Sequence, residues 1–219
     1  MRSLILILIA FFFISCKSSP SPSKENTESL VEEPQTQEEE EEVGSLLSRE
    51  ELLLKNSLNL YLYQLKSLNS NNIIAMTYPK FFTVFSQRTY RGFLYTMINS
   101  SNIDIISFNA SIDKIERIEK FSKGKFAKVS HNSIIELYFK NPNLYNTESS
   151  LNTLYGILAR KYGAQNIHVD TASRTVTIKR RERMIAIKEG TSQWKFIGDN
   201  PTYRSLYSSF LPYDILDKI

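Results

Sequence analysis

The sequence predicts an α+β domain with its helices on one face of an antiparallel sheet, and three observations carry this. Apolar residues recur at helical spacing from residue 50 to 98, the period changes to two after Ser101, and the strands beyond are interrupted once, by a helical stretch at 148–162. Helices followed by a run of antiparallel strands have one economical arrangement, the helices together on one face of the sheet.

The first helix opens at Ser48-Arg49-Glu50-Glu51, a capping box in which the serine hydroxyl takes a free backbone N–H and Glu51 reaches back. Leu54, Leu58, Tyr61, Leu65 and Leu68 then form one apolar stripe. Asn69 to Asn72 break it, a short helical turn follows at Ile73–Met76, and Pro79 resets the chain before Phe81, Phe82 and Phe85. Ser86 caps a further helix with Tyr90, Phe93, Leu94, Met97 and Ile98 on one face. Strands are expected at Ile103–Phe108, Ser111–Phe121 and Lys125–Phe139, with Lys123-Gly124 as a turn between the last two. Thr147 caps the helix Glu148–Tyr162, which carries Leu151, Leu154, Tyr155, Leu158 and Tyr162 and is stopped by Gly163. Four more strands are expected at Asn166–Asp170, Arg174–Lys179, Arg183–Lys188 and Gln193–Ile197. The tail, Pro201 to Ile219, reads as one or two short helices.

Ahead of this domain lie two segments of other character. Met1-Arg2-Ser3 precedes the apolar run Leu4–Phe13 and then Ile14-Ser15-Cys16, the pattern of a signal peptide. A membrane span needs roughly 20 apolar residues, and Lys17 with SSPSPS at Ser18–Ser23 ends this run well short of that. Phe13-Ile14-Ser15-Cys16 resembles the lipobox of bacterial lipoproteins. The resemblance implies cleavage after residue 15 and acylation of Cys16, palmitate included, which anchors the chain to a membrane of the cell envelope. The alternative is an ordinary secretory signal with a buried cysteine, but no core is at hand between an apolar run and a Ser/Pro linker. Lys17, where an aspartate would retain many lipoproteins at the inner membrane, resembles an outer-membrane sorting signal for a cell with two membranes.

Residues 16–44 read as the lipidated Cys followed by a disordered linker, ending in Glu38–Glu42 and carrying two lysines against nine glutamates. Residues 45–219, with 24 basic and 14 acidic residues, are left with a net charge of +10 and form one domain. The positive balance points to an anionic envelope component, while the plain alternative is a lysine-rich solvated surface. Nucleic acid is not expected as a partner of an exported protein.

No cofactor or metal site is expected. The one cysteine is committed to lipid, His131 and His168 stand apart from any clustered ligand spacing, and no Gly-rich phosphate loop or nucleophile elbow occurs. His131 shares the odd-numbered register of its strand with Ala127, Val129, Ile135 and Leu137, so its ring points to the buried side unless the polar run Ser130–Ser133 marks a bulge or turn that exposes it. His168 and Asp170 lie opposite Ile167 and Val169 and are expected in solvent. Lys179, Arg180, Arg181 and Arg183 surround what reads as a tight connection between strands, a candidate anion contact or simply a solvated hairpin end. Phe81, Phe82, Phe85, Tyr90, Phe93 and Trp194 are candidates either for the wall of an apolar ligand pocket or for plain core.

The order of elements, together with Tyr78-Pro79-Lys80-Phe81-Phe82 and the strand Gln193-Trp194-Lys195-Phe196-Ile197, resembles a family of uncharacterised bacterial lipoproteins with an NTF2-like (cystatin-like) domain. The resemblance covers Leu52 to Leu216 and implies helices lying in the concavity of a curved sheet, with a pocket on that side. The superfamily hosts both binding modules and enzymes, so it implies no single function. The expectation is a membrane-anchored, non-catalytic binding or envelope-associated module. The alternative is a small isomerase or hydrolase using His131, with Asp104 or Asp113 as its acid/base partner.

Overall fold

The structure, a computed structural model, describes residues 48–141, 147–201 and 204–219. The signal segment 1–15, Cys16 and the linker to residue 44 lie outside the described residues. Helix α1 (Arg49–Lys66) begins with the expected capping box: Ser48 Oγ accepts the Glu51 amide at 3.2 Å and the Glu51 carboxylate accepts the Ser48 amide at 2.8 Å. Leu54, Leu58 and Tyr61 are buried, joined by Leu62. The helix stops at Lys66, so Leu68 lies past its end, in the left-handed region at φ 53. Asn69 caps α2 (Ser70–Met76), a 3₁₀ turn spans Pro79–Thr83, and Ser86 caps α3 (Gln87–Ile98).

Six antiparallel strands follow: β1 (Ile103–Ile115), β2 (Glu119–Phe121), β3 (Gly124–Phe139), β4 (Ile167–Asp170), β5 (Thr175–Glu189) and β6 (Lys195–Gly198). They form one sheet in the order β1-β3-β5-β4, with β2 beside β3 and β6 beside β5. Helix α4 (Glu148–Tyr162), capped by Thr147 and ended by Gly163 at φ 87, precedes β4; α5 (Arg204–Tyr207) and α6 (Tyr213–Leu216) close the chain.

Several boundaries differ from the sequence expectation: the helix after Asn69 already begins at Ser70 and the last strand runs Lys195–Gly198. The strands expected at Ile103–Phe108 and Ser111–Phe121 are one long β1 and a short β2, and β1 absorbs the irregularity as register shifts after Ile105 and Ile112. More consequentially, Arg174–Lys179 and Arg183–Lys188 are a single strand. Every residue of β5 from Thr175 to Glu189 pairs in unbroken register with β3, from Tyr138 to Gly124, so no turn interrupts it at Arg180–Glu182. Gly124, expected in a turn, is the first residue of β3; a Cβ there would lie 2.0 Å from the Lys188 carbonyl oxygen, so only glycine allows the two strands to meet.

Strand alternation sorts this central pair into two faces. On the face that carries helices α1 to α4, Ala127, Val129, His131, Ser133, Ile135 and Leu137 of β3 stand opposite Ala186, Met184, Glu182, Arg180, Ile178 and Val176 of β5. This inner face is apolar at both ends and polar in the middle. One end joins α1, α2 and α3 in a core with Trp194 and Phe196; the other joins Leu158 and Tyr162 of α4 with Phe108 and Ile167. The opposite face buries Phe126, Ile185, Ile187 and Ile197 under Tyr78 and the C-terminal residues Tyr207, Phe210, Leu211 and Ile215.

The outer edge of β5 is only partly covered. β4 pairs with Thr175–Ile178 and β6 with Met184–Ile187, and among the described residues no strand pairs with the stretch between them. The sheet therefore has a notch at Lys179–Arg183, level with the polar middle of the inner face.

Candidate functional site

Beside that notch, two cavities share Tyr61, Tyr90 and Gly198 in their walls. One, of about 140 Å³, is bounded by Leu65, Phe108, Met184 and the polar side chains of His131, Arg180, Glu182 and Arg183. The other, of about 220 Å³, is walled by Phe81, Phe85, Phe196, Phe210, Val84 and Leu206. Tyr61 stacks on Phe196 at 4.8 Å, and Phe81 makes edge contacts with Tyr90 and Phe210, so the apolar wall is a connected set of rings. A Cβ on Gly198, which lines both cavities, would meet nothing within 4 Å.

The polar end is built by parity. Arg180 and Glu182 are two residues apart on β5 and point the same way, into contact with Ser133 and His131 on β3. Glu182 Oε2 accepts from Ser133 Oγ at 3.1 Å, pairs with Arg180 and stands 3.5 Å from His131 Nε2. The Arg180 guanidinium lies 5.7 Å from the centre of the Tyr162 ring, and Lys161 Nζ lies over the same ring at 5.1 Å. Side-chain exposures of 3% for Arg180 and 15% for Glu182 make this a buried ion pair. Burial opposes ionisation of Glu182, but the Arg180 charge with His131 and Ser133 outweighs it and holds the carboxyl below its ordinary value. Burial likewise lowers Arg180, against the pull of Glu182 and Tyr162. Burial first, and then repulsion from Arg180, bring Lys161 down to about 8. Burial pushes the Tyr90 phenol up to about 12 and the Tyr61 phenol higher still, so both remain neutral hydroxyls.

His131 is 6% exposed and faces the cavity, so the inward register holds and the bulge or turn expected as its alternative falls elsewhere: the shift opposite it belongs to β1. Its Nε2 side faces Glu182, while its buried Nδ1 has no hydrogen-bond partner. Asp104 and Asp113 do not join it. Asp104 pairs with Lys140 at 2.6 Å and Asp113 with Arg181 at 2.5 Å, both away from the cavity walls. Glu182 is the acid beside His131, and sequence reasoning missed it by breaking β5 there. His168 is exposed, and Asp170 folds into its own turn by accepting the Ala172 and Ser173 amides.

The four basic residues do not form one anion contact. Lys179, Arg181 and Arg183 alternate with the inward-facing Arg180, and Arg181 turns out to Asp113. Arg183 reaches the cavity rim, where it shares the buried Asp199 carboxylate with Arg204, at 3.3 and 2.9 Å. Of the aromatic candidates, Phe81, Phe85 and Tyr90 wall the apolar cavity; Phe82 packs against the core beneath and Trp194 belongs to it at 2% exposure. Among the described residues, no group of three or more His, Cys, Asp or Glu could hold a metal ion, and no helix is long and apolar enough to cross a membrane.

No family model, no curated protein and no solved structure matches this chain.

Proposed function

We propose that this protein is a lipid-anchored, non-catalytic binding module of the bacterial envelope, with an NTF2-like domain that holds a small, mostly apolar molecule in the paired cavities. The observation that carries the reading is the cavity pair itself: an aromatic compartment continuous in its walls with a compartment that ends on buried charge. Apolar lining with a few placed polar groups is the usual chemistry of a small-molecule site. At about 30 Å³ for each water-sized group, the two compartments offer room for roughly a dozen non-hydrogen atoms. The NTF2-like assignment draws on the N-terminal helices packed on one face of an antiparallel sheet and on the residues around Tyr78 and Trp194 that suggested it. The anchor at Cys16 would keep such a module at a membrane, the outer one where the cell has two, with the acidic linker as tether.

The test is to purify the full chain from its membranes, extract it, and identify by mass spectrometry any small molecule that comes with it. Gly198→Leu is the control, because its side chain would fill space that nothing occupies while removing no core contact. An apolar molecule carried by the parent and absent from Gly198→Leu supports the reading; identical extracts from the two refute it.

A second reading, an isomerase or hydrolase, draws on the Glu182–His131 pair, since a carboxylate that orients an imidazole at a cavity wall is a general-base arrangement. Incubating the extracted molecule with the protein separates the two. The binding module returns it unchanged and the enzyme converts it.

A further inference from the structure

We propose that β1 pairs with β1 of a second copy of this chain, antiparallel about a two-fold axis at Ala110, so that one sheet runs through both copies.

β1 ends the sheet: β3 lies along one side of it, and among the described residues no strand lies along the other. The Glu116 amide donates to the Lys128 carbonyl at 2.8 Å and the Lys140 amide to the Asn102 carbonyl at 2.9 Å, so the even-numbered residues of β3 are those that turn their backbone groups to β1. Between the two register shifts these meet Ser107, Asn109 and Ser111. Phe108, Ala110 and Ile112 stand opposite odd-numbered residues of β3, whose backbone groups go to β5, and so turn their own N–H and C=O groups outward. The centre of this edge is open to solvent, since Asn109, Ala110 and Ser111 line a surface cavity of about 220 Å³ beside Tyr63 of α1.

Shape and charge fit the edge to a copy of itself. The register shifts after Ile105 and Ile112 leave Ser107–Ile112 as a regular stretch with a bulge at either end, and bulges stop pairing from running further. Within that stretch the outward residues lie symmetrically about Ala110. A two-fold axis there sets Phe108 opposite the partner's Ile112 and Ala110 opposite the partner's Ala110, keeps inner side chains beside inner side chains, and exchanges about six backbone hydrogen bonds. With a net charge of +10 over residues 45–219, two copies repel each other across most of their surfaces. Ser107 to Ile112 holds no charged residue and no proline, the devices that keep edges apart. Tyr63, 62% exposed, is brought toward its counterpart above the axis. Because the contact is isologous, each copy uses up this edge of the other and the assembly closes at two.

Sedimentation velocity of the full chain in detergent, from low to high micromolar concentration, is expected to show the protein mass of two chains. Cysteines read the register. The axis at Ala110 sets Asn109 directly opposite the partner's Ser111 as a pair without backbone hydrogen bonds, with Cα atoms about 4.5 Å apart and within the roughly 4.4 to 6.8 Å that a disulfide spans. The two copies of Asn109 stand on a diagonal of about 7 to 8 Å, outside that span. Both side chains are exposed. Chains carrying Asn109→Cys, mixed with chains carrying Ser111→Cys and mildly oxidised, should yield the mixed disulfide in excess over either like pair, identified as a linked peptide by mass spectrometry. Ala110→Pro removes an outward N–H that β3 does not use, and should halve the mass while the Trp194 fluorescence stays that of the parent. A parent that remains a single chain at every concentration overturns the inference, whatever covers the edge. So do like pairs that form as readily as the mixed one, or a folded Ala110→Pro dimer; should that variant not fold, the mixed disulfide decides. None of these results touches the cavities, so failure here leaves the binding module standing.

Discussion

Replacing Glu182 by glutamine removes one charge and almost no volume, which makes it the sharpest probe of the polar end. Oε2 of Glu182 is the point where Arg180, Ser133 and His131 meet. The glutamine can keep the Ser133 hydrogen bond, so what is lost is the compensation of an Arg180 side chain that is 3% exposed. Removing one partner of a buried ion pair costs about 3 to 5 kcal/mol. Arg180→Met should cost less, because the remaining carboxylate keeps Ser133 and His131 and can take a proton. Replacing both, as Arg180→Met with Glu182→Gln, removes the uncompensated charge altogether and should cost less than Glu182→Gln alone. The double-mutant cycle then gives a coupling larger than the cost of Arg180→Met alone, on the order of 1 to 3 kcal/mol. Urea unfolding followed by fluorescence reads these differences, since Trp194 is the one tryptophan of the chain and is buried in the inner core. A Glu182→Gln protein within about 1 kcal/mol of the parent, the scale of an exposed pair, would refute the reasoning; so would single costs that simply add in the double variant.

Two further predictions concern other parts of the chain. Cys16→Ser should abolish incorporation of labelled palmitate and release the protein from the membrane fraction; labelling that persists would discard the lipobox reading. Lys161 has a folded value of about 8 against 10.5 for the free side chain, so between these two values the unfolded chain binds more protons and stability rises with pH across that window. Urea midpoints should therefore show a rise in the parent that Lys161→Gln lacks, and equal slopes in the two would reject the buried placement of this ammonium.

Much of the fold was legible because local chemistry and tertiary packing agree. Ser48, Ser86 and Thr147 each cap the helix that follows, and the residues those helices bury on the sheet are among those their periodicity picked out, Leu62 and Gln64 joining them, while Tyr155 stands exposed and Leu68 lies past the helix end. The strand was hidden where five charged residues in a row, four of them positive, look like the end of a hairpin. Read as one strand, Val176, Ile178, Arg180, Glu182, Met184 and Ala186 share a parity, and that parity alone would have placed the ion pair inside. What no local signal supplies is the partner that makes such a strand tolerable: Ser133 and His131 become neighbours of Glu182 through a register fixed by fifteen residue pairs across a chain separation of about fifty. The same holds for the cavities. Phe210 and Gly198 meet Tyr61 only after the chain has gone round the whole sheet.

The polar middle of the inner face also bears on how the domain breathes. It divides the apolar interior into one body under α1 to α3 and another under α4, and a partition of that kind lets the two come apart at different free energies. Lifting α4 would wet Arg180 and Glu182, and their hydration would offset part of the burial that is lost. Amide protons of α4 should therefore exchange ahead of those of α1, giving a thermally loosened half that reaches the buried ion cluster while the other half holds the sheet in register.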